Sequence, residues 1–330
     1  MQEAPMAVHW LDRVYGALRR PSGCFSRGWG DEALLRESDA TLWAQRDSLP
    51  LDIQWAEDTV FGRWRVRNGT FTSPEARLPA EVRPGRVQWL LPARGTPRSV
   101  CVMPASWGDE GFGMRNVLLW PLVSEGFSFL LVENAFYGRR RRQGVKRAPL
   151  ESVADLALLG LAACEEMRAL LERLRQEGHT RLAVAGYSMA GQLALMVASG
   201  VHWPLAAVAL APSASPAHVL TRGILKREVC WEQGWPGASA EVLGAVHAML
   251  ERASVLSMPP PHPRTRVVLV GTRQDGVVSP EDIQSLARHI PQAEVRWLPT
   301  GHLGAYFFHQ RSLRAALRDG LSQGPEAREG

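Results

Sequence analysis

Lysine is nearly missing from this 330-residue chain: Lys146 and Lys226 are the only two, so arginine supplies almost all of the 38 basic residues. Set against 33 acids, that leaves a formal charge of +5. Evenly spread arginine is the ordinary mark of a GC-rich genome. It is not the clustered stripe of a nucleic-acid-binding face, so no nucleic-acid partner is expected. Cysteine is scarce too. Cys24, Cys101, Cys164 and Cys230 form no Cys-x-x-Cys pair, which argues against a zinc site or a redox couple. Cys101 and Cys164 lie in apolar runs and read as buried thiols, which suits a reducing compartment. No apolar run approaches the ~20 residues that span a bilayer. The first residues carry no apolar core followed by a cleavage site. The expectation is a soluble, cytoplasmic protein. Also missing are a P-loop, a Gly-x-Gly-x-x-Gly after an opening strand and any metal-spaced cluster, so neither cofactor nor metal is expected.

What is present is ordinary globular composition, 45% hydrophobic and 22% charged. Residues 1–95 read as leading helices and first strands packed on the core. Residues 96–322 read as the core itself, and 323–330 as a polar tail. Met6, Trp10, Val14 and Leu18 recur at helical spacing with arginines on the other faces. That stripe either packs on the main domain or lies on a membrane surface. Trp29, Trp43, Trp55 and Trp64 follow, with strands expected over 60–67 and 86–91. The one charge cluster, Arg139-Arg140-Arg141-Arg142 with Lys146 and Arg147 behind it, is either a solvated loop or a phosphate-seeking one, facing a substrate or a membrane as a peripheral contact.

From residue 99 apolar strands alternate with helices. Strands are expected over 99–104, 127–132, 181–185, 205–211, 267–271 and 294–298, and helices over 115–124, 152–177, 189–199, 282–289 and 310–321. This rhythm predicts an α/β fold: a mostly parallel central sheet with helices on both faces. Residues 213–263 interrupt it with two expected helices, 218–228 and 241–256. An insertion above the strand ends is where a helical lid would sit.

The sharpest local signal is Leu182-Ala183-Val184-Ala185-Gly186-Tyr187-Ser188-Met189-Ala190-Gly191. An apolar strand, a tight turn on a serine and a helix make a nucleophile elbow, with Ala190 where the second glycine usually stands. Ser188 is the expected nucleophile. Acid and base should follow in that order. Asp275, just past the 267–271 strand, is the expected acid; Asp282 and Asp319 belong to helices, and the loop after 205–211 holds no acid. His302, between Gly301 and Gly304 beyond the last strand, is the expected general base, with His309 as fallback. The oxyanion hole needs two backbone N–H groups. Met189 is expected to supply one, and Ser106 or Trp107, after the 99–104 strand, the other. Asp109 and Arg115 are expected to pair and hold that loop. Glu133, Asn134 and Tyr137 follow a strand end, where they either face the cleft or form a buried polar network.

Three runs together carry a family resemblance: Ala105-Ser106-Trp107-Gly108-Asp109, Glu133-Asn134-Ala135-Phe136-Tyr137-Gly138, and the elbow Gly186-Tyr187-Ser188-Met189-Ala190-Gly191. Over roughly residues 85–312 the chain resembles the abhydrolase-domain-containing 18 family of the α/β-hydrolase superfamily. The resemblance implies an α/β-hydrolase fold and a serine hydrolase of acyl esters, with lipid or phospholipid esters as one substrate class. An acyltransferase, thioesterase or peptidase would share the same acyl-enzyme, and a non-catalytic binding protein would share the fold.

Overall fold

The computed structural model describes residues 7–37, 48, 50–146 and 149–326. Met6, Trp43, Arg147 and residues 327–330 of the expected tail lie outside the described residues. In chain order the elements begin with helices α1 (Trp10–Leu18) and α2 (Glu32–Glu37). Strands β1 (Gln54–Trp55), β2 (Thr59–Phe61), β3 (Trp64–Thr72), β4 (Pro84–Pro92) and β5 (Val100–Met103) follow. Then come α3 (Gly113–Ser124), β6 (Ser128–Val132), α4 (Val153–Gln176), β7 (Leu182–Tyr187), α5 (Met189–Ser199) and β8 (Ala206–Leu210). The chain continues through α6 (Pro216–Thr221), α7 (Trp231–Gly234) and α8 (Ala240–Glu251). It closes with β9 (Arg266–Thr272), α9 (Pro280–His289), β10 (Ala293–Leu298), α10 (His302–Phe308) and α11 (Gln310–Ser322).

All ten strands belong to one sheet, in the order β1-β3-β4-β6-β5-β7-β8-β9-β10, with β2 paired to β3. From β6 to β10 every pairing is parallel; β1 to β4 join antiparallel. The central strands are apolar throughout because both faces are covered. Val100, Val102, Val184 and Leu269 pack toward α4 and α5, while Cys101, Met103, Ala183 and Val268 pack toward α3 and α11. This period-two split assigns alternate residues of each strand to opposite cores. Strand order reverses around β5, which lies between β6 and β7. The loops after β5 and β7 therefore leave the same end of the sheet side by side, the usual place for a ligand site in such sheets.

The single strand expected over 60–67 is instead the hairpin β2–β3, broken by Gly62 at φ +59°. The helices of the insertion are shorter than expected. The first stops at Thr221, where the Arg222 N–H closes the last turn on the His218 carbonyl, and Ile224–Glu228 continue as a 3-10 turn after Gly223. The second stops at Glu251, where Ser254 starts a separate turn by accepting from the Leu256 N–H. The N-terminal segment is tied to this insertion: Cys24 bridges to Val229, and the Trp29 and Trp235 rings meet edge-on at 5.5 Å. No helix among the described residues is long and apolar enough to cross a membrane.

Helix α1 corrects a sequence expectation. The stripe Trp10, Val14 and Leu18 faces outward, with Leu18 76% exposed. The inward face holds Asp12 and Gly16, the latter pressed against Ile224. Polar demand from the loops beneath outweighs the apolar pattern, as the site makes plain.

Candidate active site

Ser188 fills the turn between β7 and α5 alone, with φ +57° and ψ −126°. A side chain rarely adopts this backbone conformation, and it persists only where the surroundings impose it. Here they do. A Cβ at Gly186 would lie 2.3 Å from the backbone carbonyl of Ala190 and 2.6 Å from its methyl. Glycine at 186 thus makes the room that alanine at 190 takes up, which is how the turn tolerates the departure from two glycines. The first turn of α5 points its positive dipole end toward the serine, whose carbonyl accepts the Gly191 and Gln192 N–H groups at 2.8 and 3.1 Å.

His302 is buried at the first position of α10, not in a loop, with Gly301 as the helix cap. Its Nδ1 lies 2.8 Å from Asp275 Oδ2. The other oxygen of Asp275 accepts from the N–H groups of Val277 and Val278, both at 2.8 Å, and Thr272 Oγ1 donates to Oδ2. With a carboxylate on Nδ1, the proton of the neutral ring sits there and Nε2 is left as acceptor. Burial pulls the His302 pKa down, but Asp275 and then Asp12 outweigh it, leaving it above the ordinary histidine value. Ser188, His302, Ser106 and Trp107 all line one cavity of about 770 Å³ at the carboxyl end of the sheet. The competing groups lie elsewhere: Asp282 accepts the Ala214 N–H, Asp319 pairs with Arg296, and His309 joins α10 to α11.

Asp12 is the residue that sequence reasoning missed. It is fully buried and accepts three N–H groups: His302 at 2.7 Å, Leu303 at 3.0 Å and Gly276 at 3.0 Å. One carboxylate from α1 thereby ties the loop of Asp275 to the start of the helix that carries His302. The glycines beside both residues follow from this. A Cβ at Gly301 would sit 2.5 Å from Asp12 Oδ2, and one at Gly276 3.2 Å from Asp12 Cβ. The partners are 264 and 290 positions away in sequence, so no local pattern announces them. Tyr187 was missed as well; its hydroxyl donates to the His302 carbonyl oxygen.

The loop after β5 is held from several sides. Asn134 brackets Ala105, its Oδ1 accepting the backbone N–H at 3.0 Å and its Nδ2 donating to the carbonyl at 2.9 Å. The Ser106 hydroxyl donates to the Tyr187 carbonyl at 2.7 Å, and Trp107 Nε1 donates to Glu228 at 3.1 Å. Arg115 Nε lies 2.8 Å from Asp109, and its other nitrogens donate to the carbonyls of Met103, Val132 and Gly111. Burial dominates both partners, raising the Asp109 pKa and lowering that of Arg115. The backbone N–H groups of Met189, Ser106 and Trp107 find no acceptor among the described residues. Tyr137 reaches the cavity wall, with its hydroxyl 3.5 Å from the Gly108 N–H. Glu133 does not line it: the side chain is buried beside Arg86 at 3.6 Å and against Gly138. Asn134 is buried too, so these two brace loops rather than face the cleft.

Three of the four arginines in the run are paired with carboxylates, and Arg139 is exposed. Arg140 is buried in a two-pronged pair with Glu166 at 2.7 and 2.9 Å. Arg142 pairs in the same way with Asp155, and Arg141 pairs with Glu110. The carboxylates that take these guanidiniums come from far along the sequence, so the run alone did not reveal them.

A mostly parallel, helix-covered sheet with a strained serine between strand and helix defines an α/β-hydrolase-fold protein. Solved structures agree on the fold. Acetyl xylan esterase 1 from Thermoanaerobacterium sp. JW/SL YS485 superposes with a TM-score of 0.56 at 15% identity, covering 93% of this chain and 98% of its own. The acetyl xylan esterase from Paenibacillus sp. R4 gives 0.56 at 16% identity, covering 87% and 91%. By sequence the chain is 26% identical over 233 residues to the uncharacterized protein Rv2627c of Mycobacterium tuberculosis (strain ATCC 25618 / H37Rv). That match covers 69% of this chain and 54% of the relative, so the chain spans about half the relative's length. The model of the alpha/beta hydrolase domain containing 18 family matches residues 22–234 and 237–323, and the chain belongs to that family. Asp12 precedes the first matched residue.

Proposed function

We propose that the protein is a serine hydrolase of carboxylic esters, lipid acyl esters among them. The observation that carries this reading is the shared cavity: a serine at positive φ opens into the space reached by a histidine whose Nδ1 bonds a carboxylate. His302 Nε2 takes the Ser188 proton as Oγ attacks the ester carbonyl. Met189 N–H, with Ser106 or Trp107 N–H, receives the developing oxyanion. The C–O bond breaks, the alcohol leaves with the proton from His302, and Ser188 carries the acyl group. Water then attacks, His302 takes its proton, and the carboxylic acid departs from a regenerated serine. Asp275 holds the ring and stabilises its cationic form; the raised His302 pKa accords with that task. Two of the proteins that share the fold are esterases by name, which agrees with the reading.

The test is hydrolysis of activated esters by wild type and variants. Ser188→Ala should lower kcat by roughly 10⁶-fold, and Asp275→Asn by about 10⁴-fold with little change in KM. Ester turnover that survives in a folded Ser188→Ala protein would defeat the reading.

A further inference from the structure

Ser188 stands in the walls of two cavities, not one. Besides the large cavity shared with His302, a second space of about 80 Å³ begins at Ser188 and Met189 and runs beneath the insertion. The two share Ser188, Trp107 and Leu225 in their walls. Both are lined mainly by apolar side chains, the small one more completely. The small chamber is walled by Leu156 and Ala157 of α4, Leu193 and Met196 of α5, and Val219 and Met249 of the insertion. Its polar groups are already occupied. Gln192 Nε2 donates to the Ala253 carbonyl at 2.9 Å, Ser213 donates to Gln192 Oε1 at 3.0 Å, and Arg252 donates to the Leu35 carbonyl at 3.0 Å. A hydrocarbon entering it strips no polar side chain of a partner. The large chamber carries charged and hydroxyl groups in its wall, Arg19, Asp109, Glu110, Tyr137 and Glu228, the charged ones held in ion pairs, and it alone contains His302.

We infer that the two chambers divide the ester: the small one takes the acyl chain and the large one a polar, hydroxyl-bearing alcohol. This rests on reading Ser188 as the nucleophile. The assignment follows from where the proton must go. His302 returns its proton to the leaving alcohol, so the alcohol lies on the His302 side. The acyl group remains bonded to Ser188, and its chain takes the remaining way out, past Met189 into the apolar space. Hydrolysis then needs water only in the polar chamber, beside His302, and the acid leaves after the second C–O bond to Ser188 breaks. Volume limits the chain length. An apolar cavity of about 150 Å³ takes one six-carbon benzene, so the small chamber of about 80 Å³ takes roughly three carbons beyond the acyl carbonyl. The structure therefore assigns a short-chain acid, about butanoyl.

The experiment compares kcat/KM for p-nitrophenyl esters from acetyl to palmitoyl. Wild type should rise to a maximum at about butanoyl and decline towards palmitoyl. Ala157→Phe should fill the chamber and lower the butanoyl-to-acetyl ratio about tenfold or more. Val219→Phe fills it from the insertion side and should act alike, which keeps the test alive if one variant misfolds. Leu193→Ala should move the maximum to longer chains. A maximum at palmitoyl in wild type, or a ratio unmoved in a folded filling variant, would overturn the assignment while leaving Ser188 as nucleophile. Absence of Ser188-dependent hydrolysis with every ester would instead overturn the nucleophile reading, and the chamber assignment with it.

Discussion

At the scale of single residues, Asp12 does what the proposed triad residues cannot do for themselves. Three N–H groups, one from the loop of Asp275 and two from the start of α10, converge on its two oxygens, and the carboxylate is sealed from water. Its negative charge also favours the imidazolium form of His302. The sign of the consequence is fixed. Removing that charge lowers the His302 pKa, so the ring stays neutral, and able to act as a base, to lower pH. Asp12→Asn should therefore move the acid limb of the kcat/KM profile to lower pH. Asp12→Ala should also cost about 10–100-fold in kcat/KM through displaced loops. An acid limb unmoved in Asp12→Asn would show that the carboxylate positions the loops without acting on the ring. Ser188, Asp275 and His302 could be proposed together from sequence because each follows a strand end in a fixed chain order, and the structure places His302 against Asp275 and in one cavity with Ser188. Asp12 was not, because its role exists only once the first helix is laid against loops nearly the whole chain away.

At the scale of elements, legibility tracked burial. Strands β5 to β9, buried on both faces, write themselves as unbroken apolar runs, and their positions were readable to within a residue or two. The short edge strands β1 and β2 carry no such run. Helix α1 was expected as an amphipathic helix and is one, but its apolar stripe faces out instead of packing on the main domain, and its buried face carries an acid. Helix α10 went unrecognised because Gly301 and Gly304 argue for a loop, whereas both make room for neighbours, including Asp12, His9 and Thr300. The link between the segment after β6 and helix α4 was also hidden, since nothing local joins Arg140 to Glu166. Both are buried and hydrogen-bonded to each other, and Arg140 further donates to the carbonyls of Val82 and Glu133. Arg140→Met should leave Glu166 buried without its partner and cost about 3–5 kcal/mol in chemical denaturation. The double variant Arg140→Met, Glu166→Leu should recover much of that loss. Equal destabilisation in the single and double variants would assign the cost to lost packing instead.

At the scale of the whole molecule, the fold supplies the sheet end, and the N-terminal segment and an internal insertion supply what surrounds it. The N-terminal segment brings Asp12 and Arg19, and the insertion between β8 and β9 brings Glu228 and the roof of the apolar chamber. Fold class and the order of the site residues were legible because a parallel sheet leaves few places for chemistry. The division into two chambers was not, since it depends on how helices from four parts of the chain pack around one serine. The central claim is that this serine is activated. It is tested most directly by reacting the folded protein with a fluorophosphonate probe, with and without detergent, and locating the adduct by peptide mass. Wild type should carry one adduct on Ser188, absent in Ser188→Ala and slowed about 10³-fold or more in His302→Ala. A folded wild-type protein that takes no adduct under either condition, or takes it at another residue, would contradict the account.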